Sequence, residues 1–368
     1  MQDSMYWHCF RKIPGIGQTR LGSLMAAFTS GEEAWHADID RLGQTAMSPD
    51  TRDAIVAGRK TIDPEKEREL LDRDGIRIFL STDESFPILL REAPFPISLL
   101  YVRGTFEEWN APMVAIVGSR QHTAYGRQAA ERIAEDLSRA GIVVVSGLAY
   151  GIDSVAHGAA LRSGGVTVAV LGDGLDDSSI HPKDHLPLAS RVMESGALVS
   201  EYPPGTPAGR GTFPARNRII AALSLGVVVV EAAEKSGSLI TATHALECGR
   251  DVFAVPGSIF SPASQGTHRL LRDGAKLVRG VGDILEELPL RMTKENAATV
   301  SDFGKRLVPE NLSEEEQKIL SILTHEAMHI DEIIKSSHLG TSEAGSALTM
   351  LEINGYAKNI GGMNYIRV

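Results

Sequence analysis

Between residues 112 and 288 the chain alternates short apolar runs with segments whose apolar residues recur at helical spacing. The runs are continuous rather than alternating, which predicts parallel strands covered by helices on both faces. We place the strands at Met113–Gly118, Ile142–Gly147, Val166–Gly172, Ala197–Tyr202, Val227–Ala232, Val252–Gly257 and Lys276–Val278. Alternating strands and helices predict an α/β fold with a doubly wound, mostly parallel sheet. Ligands of such sheets bind beyond the carboxyl ends of the strands, so function is expected in the loops there.

The segments on either side of this region predict smaller domains. Residues 1–60 read as short helices, and Ile13–Leu21 resembles the turn of a helix-hairpin-helix. That turn either exposes backbone N–H groups to phosphate or is only a tight corner between helices. Residues 61–109 lead into the main domain, which we bound at 61–288.

A polar segment, residues 289–312, predicts a linker to a last domain at 313–368. Ser313 followed by Glu316 is a capping-box signature that starts a helix. Two more helical stretches and a hairpin around Gly361-Gly362 complete the pattern of a winged helix. From residue 313 onward eight acidic residues stand against four Lys or Arg, whereas a DNA-binding winged helix is expected to be basic. A protein-contact or packing module is the favoured interpretation.

Composition excludes several classes of protein. No apolar run approaches the roughly 20 residues of a membrane helix, and no secretory signal is visible, so a cytoplasmic protein without membrane insertion is expected. Two cysteines, Cys9 and Cys248, give no disulfide framework. His181 and His185 lack a third ligand at a recognisable spacing, so neither a metal nor another cofactor is expected.

Charge is unevenly distributed along a chain whose formal net charge is −10. No Asp or Glu occurs between Glu201 and Glu231, or from Asn110 to Ala130. The arginines in these two windows are Arg120, Arg127, Arg210, Arg216 and Arg218. If the windows meet in the fold, one face of the protein is basic. Such a face suits an anionic polymer even though the net charge of the whole chain is negative.

The first two strands end in loops of candidate chemistry. Gly118-Ser119-Arg120 precedes a helix start and carries a hydroxyl and a guanidinium. These groups either bind a ligand or belong to a plain strand-end turn in which the arginine pairs with a carboxylate. After the second strand, Ser146 and Gly147 are candidates for close approach to a phosphate. Asp153 is interpreted as a helix N-cap and His157 as a packed histidine, with a catalytic pair less favoured.

The segment FPARNRIIAALS, from Phe213 to Ser224, starts a helix at the third candidate loop. At about 100° per residue, Arg216 falls on the same side of the helix as the buried residues. It is predicted to lie at the helix tip and to contact an anion there. Arg218 points away and either binds outer phosphates or forms a structural ion pair. Phe213 is either a hydrophobic staple or a platform on which a base stacks. Beyond the next strand, Glu231 either pairs with an arginine, which is favoured, or binds a ribose hydroxyl. Residues 236–242 have small hydroxyl side chains at a helix start, which suit either phosphate or a closely packed backbone.

Several motifs together resemble the DNA-processing protein A family, also called DprA or Smf. They are GSR, SGLAYGID, SEYPPGTP, FPARNRIIAALS, SGSLITATHALECGR and VFAVPG, in the family's order from Gly118 to Gly257. The resemblance implies an extended Rossmann-like domain with a small N-terminal helical domain of the SAM or helix-hairpin-helix kind and a C-terminal winged helix. It also implies a non-enzymatic protein that binds and protects single-stranded DNA during natural transformation, loads the RecA recombinase onto it, and dimerises through the Rossmann-like domain. The DNA-binding residues carried over by this resemblance and by the arginine argument are Ser119, Arg120, Gly147, Arg210, Phe213, Arg216 and Arg218.

Two other classes of function compete with DNA binding. A nucleoside-monophosphate glycosidase uses a Pro-Gly-Gly-x-Gly-Thr loop, but SGSLITA stands in the comparable place here. The hypothesis of a dinucleotide oxidoreductase is less favoured, because the first strand-to-helix turn lacks G-x-G-x-x-G. A scaffold that mainly contacts proteins is favoured only for the acidic winged helix.

Overall fold

The predicted apolar runs form most of a nine-stranded sheet. In chain order its strands are β1 Ile76–Leu80, β2 Leu99–Gly104, β3 Met113–Val117, β4 Val143–Ser146, β5 Thr167–Leu171, β6 Ala197–Ser200, β7 Gly226–Val229, β8 Asp251–Ala254 and β9 Lys276–Leu277. Across the sheet the order is β1-β2-β6-β5-β4-β3-β7-β8-β9. Pairing is parallel from β6 to β9, and β1 and β2 extend the sheet with antiparallel pairs. The prediction of a doubly wound, mostly parallel sheet is therefore confirmed.

The computed structural model describes residues 2–45, 47–209, 211–288, 312–324, 327–354 and 356–367. Contacts divide the chain into two compact units, Met1–Val300 and Ser301–Val368. Of the predicted linker 289–312, only Leu312 is among the described residues, where it is buried. Within those ranges no helix combines the length and apolarity needed to cross a bilayer.

Helices precede the sheet in the first unit and then alternate with its strands. They are α1 Gln2–Lys12, α2 Gln18–Ala27, α3 Gly31–His36, α4 Ile39–Gly43, α5 Pro49–Thr61, α6 Pro64–Arg73, α7 Ile88–Arg91, α8 Ala124–Arg139, α9 Ile152–Arg162, α10 Leu186–Ser195, α11 Thr212–Leu223, α12 Ser238–Glu247, α13 Gln265–Arg272 and α14 Val281–Leu285. Buried residues of α11 and α12 pack with Ala115 and Val117 on one face of the sheet. Helices α8 and α9 pack on each other and cover the opposite face.

The winding of the sheet fixes where a crevice opens. Strand β3 pairs with β4 on one side and with β7 on the other. The chain leaves β3 for α8 on one face of the sheet and leaves β7 for α12 on the other. The loops after β3 and β7 therefore diverge, and the gap between them is the topological switch point where ligands of such sheets bind.

The N-terminal helices dock against the β2 side of the sheet. Apolar residues of α1 and α2 share one buried cluster with Leu99 and Tyr101 of β2. The His8 ring on α1 hydrogen bonds the Tyr101 hydroxyl at 2.8 Å. Since these contacts belong to one core, the boundary predicted at residue 60 lies inside the first compact unit.

The turn that resembles a helix-hairpin-helix joins α1 to α2. Gly15 lies at φ +86°, a conformation that glycine adopts without strain. Arg20 donates to the Gly15 carbonyl at 2.6 Å, and Arg11 donates to the Ile16 carbonyl. These contacts are those of a tight corner, and contact of this turn with DNA stays a prediction.

The second unit has the winged-helix pattern that the sequence predicts. Its elements are α15 Glu314–Ile322, β10 Met328–His329, α16 Ile330–Ser337, α17 Thr341–Ile353, β11 Ala357–Gly361 and β12 Asn364–Arg367. The capping box of Ser313 and Glu316 is formed, with both reciprocal hydrogen bonds present. Strands β11 and β12 make the predicted hairpin, and β10 pairs on the other side of β12.

The buried side chain of Gln18 provides a test of how the N-terminal helices are held. Its amide accepts from the Ser98 and Leu99 N–H groups at 2.8 and 3.1 Å and donates to the Leu99 carbonyl at 2.8 Å. Gln18→Ala leaves these backbone groups buried without partners, so we expect the free energy of unfolding to fall by roughly 2–4 kcal/mol. Urea unfolding measures this loss. Thr19→Ala, at the exposed next position, should change stability by less than about 0.5 kcal/mol, and equal effects of the two variants would contradict the argument.

Candidate nucleic-acid interface

The switch point opens onto a cleft of about 660 Å³ at the carboxyl end of the sheet. Its walls come from four segments that are distant in sequence. Residues 117–121 follow β3, 149 and 153 lie around the start of α9, five residues between 213 and 220 begin α11, and six between 233 and 241 follow β7. The two acid-free windows therefore meet here, which is the condition under which the sequence indicates a basic face.

Arg120 and Phe213 form the exposed wall of the cleft. Arg120 is exposed, and its guanidinium carbon lies 5.3 Å from the centre of the Phe213 ring. Among the described residues no carboxylate lies within ion-pair distance of Arg120, whereas Arg127 in the same window pairs with Glu131. The His181 ring centre is 6.2 Å from that of Phe213. This wall thus combines an unpaired cation with an aromatic face.

Phe213 lies within the first turn of α11, not before it. A hydrophobic staple needs a residue preceding the N-cap, and the N-cap here is Gly211, so the staple interpretation is wrong. The ring is half-buried and faces the cleft instead.

The loop after β3 is held by its own hydroxyl and by the loop after β4. The Ser119 hydroxyl accepts from the Gln121 N–H at 3.1 Å and donates to the Gln121 carbonyl at 2.9 Å. The Ile152 N–H donates to the Ser119 carbonyl at 3.1 Å. Gly151 makes this approach possible, because a Cβ there would lie 2.2 Å from the same carbonyl, and its φ is +82°. Ser119 therefore lines the cleft and also fixes the shape of the turn that carries Arg120.

Arg216 lies at the tip of α11 but is 4% exposed. Its Nη1 donates to the Gly147 carbonyl at 2.5 Å and to the Val170 carbonyl, which belong to the ends of β4 and β5. Its Nε donates to the Asn217 side chain at 3.1 Å. Burial lowers the pKa of Arg216, while Asp153 and Asp173 oppose that shift. The side chain borders the cleft floor, yet most of its donors are used within the protein.

Gly147 lies beneath Arg216 and is buried. A Cβ at this position would come within 2.1 Å of the Arg216 guanidinium. Its N–H donates to the Asp153 carboxylate at 3.1 Å and its carbonyl accepts from Arg216. The glycine therefore gives space to an arginine, and it is not among the residues that line the cleft.

Two carboxylates accompany the buried Arg216 charge. Burial raises the pKa of Asp153, and Arg216 opposes the shift. Burial also raises the pKa of Asp173, in the loop after β5, to about 7, again opposed by Arg216. Among the described residues neither Asp173 oxygen meets a donor at ordinary hydrogen-bond geometry.

Two further residues, Arg218 and Arg210, were predicted for the site. Arg218 pairs with Glu201 and its guanidinium carbon stands 4.7 Å from the Phe95 ring centre. This is the structural ion pair of the two alternatives, and Arg218 is not among the residues lining the cleft. Arg210 lies outside the described residues.

Three interpretations of acidic and histidine residues are settled by hydrogen bonds. Asp153 is not an N-cap, since Gly151 holds that position of α9 and Asp153 accepts from the Gly147 N–H. Among the described residues no arginine pairs with Glu231; it accepts from the Thr123 N–H and hydroxyl at 2.9 and 2.6 Å, because the end of β7 lies beside the start of α8. His157 is a packed histidine, as predicted, bonded to Thr167 at 2.7 Å.

Sequence reasoning missed Asp173 and Gln121. Both follow a strand end within a few residues, so the rule that ligands bind beyond the strands would have flagged them. Gln121 lines the cleft directly after Arg120. The strand-end rule indicates the position of Asp173, but the sequence does not indicate that its carboxylate faces a buried arginine.

The carboxyl group of Asp173 predicts a pH dependence of stability. An aspartate in the unfolded chain titrates near pH 3.9. Because the folded pKa is higher, the stability that Asp173 contributes below about pH 4 is lost as the pH rises through about 7. Asp173→Asn lacks this loss. The free energy of unfolding of the wild type, relative to that of the variant, should therefore fall by roughly 3 kcal/mol between about pH 4.5 and pH 8.

Chemical unfolding at several pH values measures that difference. Glu194→Gln, which removes one negative charge from an exposed position, is the matched control. If the stability difference between wild type and Asp173→Asn stays constant across this range, the buried carboxyl does not titrate as described.

Comparison with known proteins agrees with this architecture. A model of the family described as DNA recombination-mediator protein A matches residues 77–289, and a model of the DprA winged helix domain matches residues 305–363. Protein Smf of Synechocystis sp. is 33% identical over 395 aligned residues, which cover 99% of each chain.

Two solved structures resemble the chain. The X-ray structure of DNA processing protein A from Streptococcus pneumoniae superposes with a TM-score of 0.67 at 35% identity, covering 78% of this chain and 98% of that one. The Helicobacter pylori protein, described by its single-stranded DNA binding mode, superposes with a TM-score of 0.52 at 30% identity over 57% and 94% of the two chains. Since the family model spans more than half of the sequence and the Synechocystis relative spans nearly all of it, this chain belongs to the DNA recombination-mediator protein A family, known as DprA or Smf.

Proposed function

We propose that this chain binds single-stranded DNA, without regard to sequence, in the cleft at the switch point. The observation that carries the proposal is the pairing of Arg120, exposed and without a carboxylate partner among the described residues, with the aromatic face of Phe213. A cation next to an aromatic ring is the combination that grips a phosphate and stacks a base of an unpaired strand. The H. pylori relative, whose structure is described by its single-stranded DNA binding, supports the same assignment.

Arg120 is the phosphate contact in this proposal, and Arg216 acts indirectly. Arg120 has a free guanidinium at the cleft wall, whereas Arg216 spends donors on the Gly147 and Val170 carbonyls. Arg216 therefore supports the floor on which the strand lies and adds positive potential beneath it. Backbone N–H groups at the start of α12, with the hydroxyls of Ser236 and Ser238, extend the polar wall opposite.

The platform favours an unpaired strand over a duplex. Stacking on Phe213 requires a base whose face is free, and in a duplex both faces are covered by neighbouring pairs. Arg120 now covers the ring, so its movement toward a phosphate would expose the ring to a base. Because every base has such a face, binding is tolerant of sequence.

Chemistry of the glycosidase kind finds little support. Asp153 is the one carboxylate among the described residues that line the cleft. It is 7% exposed, accepts from the Gly147 N–H and interacts with the Arg216 charge. A general acid or base needs access to the substrate proton that it transfers, so the proposal is a binding protein rather than an enzyme.

Protection of incoming DNA, delivery to a RecA recombinase, and dimerisation through the Rossmann-like domain belong to the same proposal. They rest on family membership and the motifs from Gly118 to Gly257. The sheet ends at the two-residue strand β9, where Leu277 is exposed, which leaves one edge for a second copy.

The winged helix is proposed to contact protein rather than DNA. Helix α17, in the position of a recognition helix, contains no Lys or Arg. It exposes Met350 and Ile353 instead. A surface without cations has no electrostatic attraction for phosphates.

Reversing the charge of Arg120 tests the site. Arg120→Glu should lower affinity for a fluorescent single-stranded oligonucleotide by about 100-fold or more, because it removes a phosphate contact and adds repulsion. The protein should remain folded, since the side chain is exposed. Fluorescence anisotropy across a salt series measures both affinity and the number of phosphates neutralised, and the slope against salt should fall in the variant.

Arg191→Glu controls for net charge, because Arg191 is exposed on α10, away from the cleft. It should weaken binding by less than about threefold. Arg216→Glu is unsuited as a parallel test, since it places a carboxylate against Asp153 and Asp173 and is expected to unfold the protein. Unchanged binding by Arg120→Glu would refute the proposed cleft.

Removing the winged helix separates the two units. A chain ending at residue 310 should bind the same oligonucleotide within about twofold of the full chain, because the cleft residues lie between 117 and 241. Measurement by anisotropy under identical salt decides the point. Loss of binding on truncation would assign DNA contact to the second unit.

A further inference from the structure

The turn beyond β8 exposes two apolar side chains. Ser258 to Ser261 form a turn closed by a hydrogen bond from the Ser261 N–H to the Ser258 carbonyl at 3.0 Å. Its corners are Ile259, 80% exposed, and Phe260, 89% exposed. Turn corners usually carry Gly, Pro, Asn or Asp, so this placement has no conformational reason. Leaving an aromatic ring in water is unfavourable in free energy and does not stabilise the fold.

The turn lies beside the wall of the cleft. The Ala232 N–H donates to the Ala263 carbonyl at 2.8 Å, and the Gly266 N–H donates to the Ala232 carbonyl at 2.7 Å. Ala233, the next residue, lines the cleft. On the other side the Tyr125 hydroxyl donates to the Pro256 carbonyl at 2.5 Å, which ties the turn to the start of α8, close to Arg120 in the chain. The exposed ring therefore stands at the same edge of the sheet as Phe213.

The surroundings of Phe260 suit a polyanion. Residues 252–272 contain no Asp or Glu, and Tyr125 adds a half-exposed aromatic ring along the way from the cleft. In the neighbouring loop Glu234 is followed by Lys235, so their charges offset each other. Two side chains are far less than the roughly 800 Å² per partner of a stable protein interface, but they match the size of one or two bases.

We propose that Phe260, supported by Ile259, is a second base-stacking platform, which carries a single strand out of the cleft past Tyr125 and over the β8 turn. This inference rests on the proposed function of the cleft. Tyr125 is a positioning residue, since its hydroxyl holds the turn at the Pro256 carbonyl. The site takes an unpaired nucleotide several positions along the strand from the one that stacks on Phe213.

Dependence on oligonucleotide length tests the second platform apart from the first. Anisotropy is measured with oligo-dT of increasing length, from about 4 to about 16 nucleotides, on the full-length protein. Phe260→Ala should bind the shortest strands like the wild type but lose about tenfold in affinity for strands long enough to reach the turn, since one stacked base is removed. Phe260→Trp should retain wild-type affinity for long strands.

Two further variants sharpen the comparison. Leu246→Ala removes another exposed apolar side chain, 66% exposed at the far end of α12, and should bind all lengths like the wild type. Tyr125→Phe keeps the ring but loses the bond to Pro256, and should weaken only the long strands. Long strands with a single 5-iododeoxyuridine should photo-crosslink to Phe260 at one position of the label and to Phe213 at another.

Each contrary result has a distinct meaning. Equal affinity of Phe260→Ala and wild type at every length overturns the second platform while leaving the cleft intact. A change in sedimentation of Phe260→Ala without any length-dependent loss also overturns it and assigns the turn to contact between protein chains. Failure of the wild type to bind any strand refutes the proposed function itself.

Discussion

One buried guanidinium organises the carboxyl edge of this sheet. Arg216, at the tip of α11, donates to the carbonyls of Gly147 and Val170, and so joins the ends of β4 and β5 to a helix that covers the sheet. Taking a charge out of water costs several kcal/mol, which only charge-assisted hydrogen bonds and nearby carboxylates offset. Asp153 and Asp173 supply the opposite charge. The loops that form the cleft are shaped by these requirements before any ligand is present.

In the proposed function, the floor and the exposed wall of the cleft have different roles. Arg216 cannot leave its partners without stranding two buried carboxylates, so its position is fixed. Arg120 is exposed, lies over the Phe213 ring, and has no carboxylate within ion-pair distance among the described residues. A fixed positive floor beneath an exposed cation would suit a flexible strand, because the floor needs no ordering when the strand binds. Gly147 does not line the cleft, but it leaves the space that the Arg216 guanidinium occupies.

Much of the fold was predictable from the sequence. Continuous apolar runs located the strands from β3 to β8, since a strand buried on both faces must be largely apolar. The short strand β9 was also placed correctly, although it consists of Lys276 and the exposed Leu277. The strands β1 and β2 were not assigned, because they lie before the region of alternating strands and helices and join the sheet as antiparallel pairs at one end. The position of the candidate site was predictable, but the role of each residue in it was not. Helical spacing placed Arg216 correctly at the tip of α11, yet spacing along one helix says nothing about the strand ends that bury it.

The errors share a physical cause. Asp153 and Glu231 were interpreted from their own sequence neighbours, whereas their partners, Gly147 and Thr123, are brought by other loops of the sheet. In an α/β fold, several loops bring hydrogen-bond donors close to a carboxylate. The order of the strands in the sheet determines which of these donors it meets. In contrast, the capping box at Ser313 is local and was predicted correctly. Two contacts cross the switch point: Arg120 lies over Phe213, and Tyr125 donates to Pro256. Such contacts can be recognised only when the order of β3, β7 and β8 in the sheet is known. A bound strand would run across the same point.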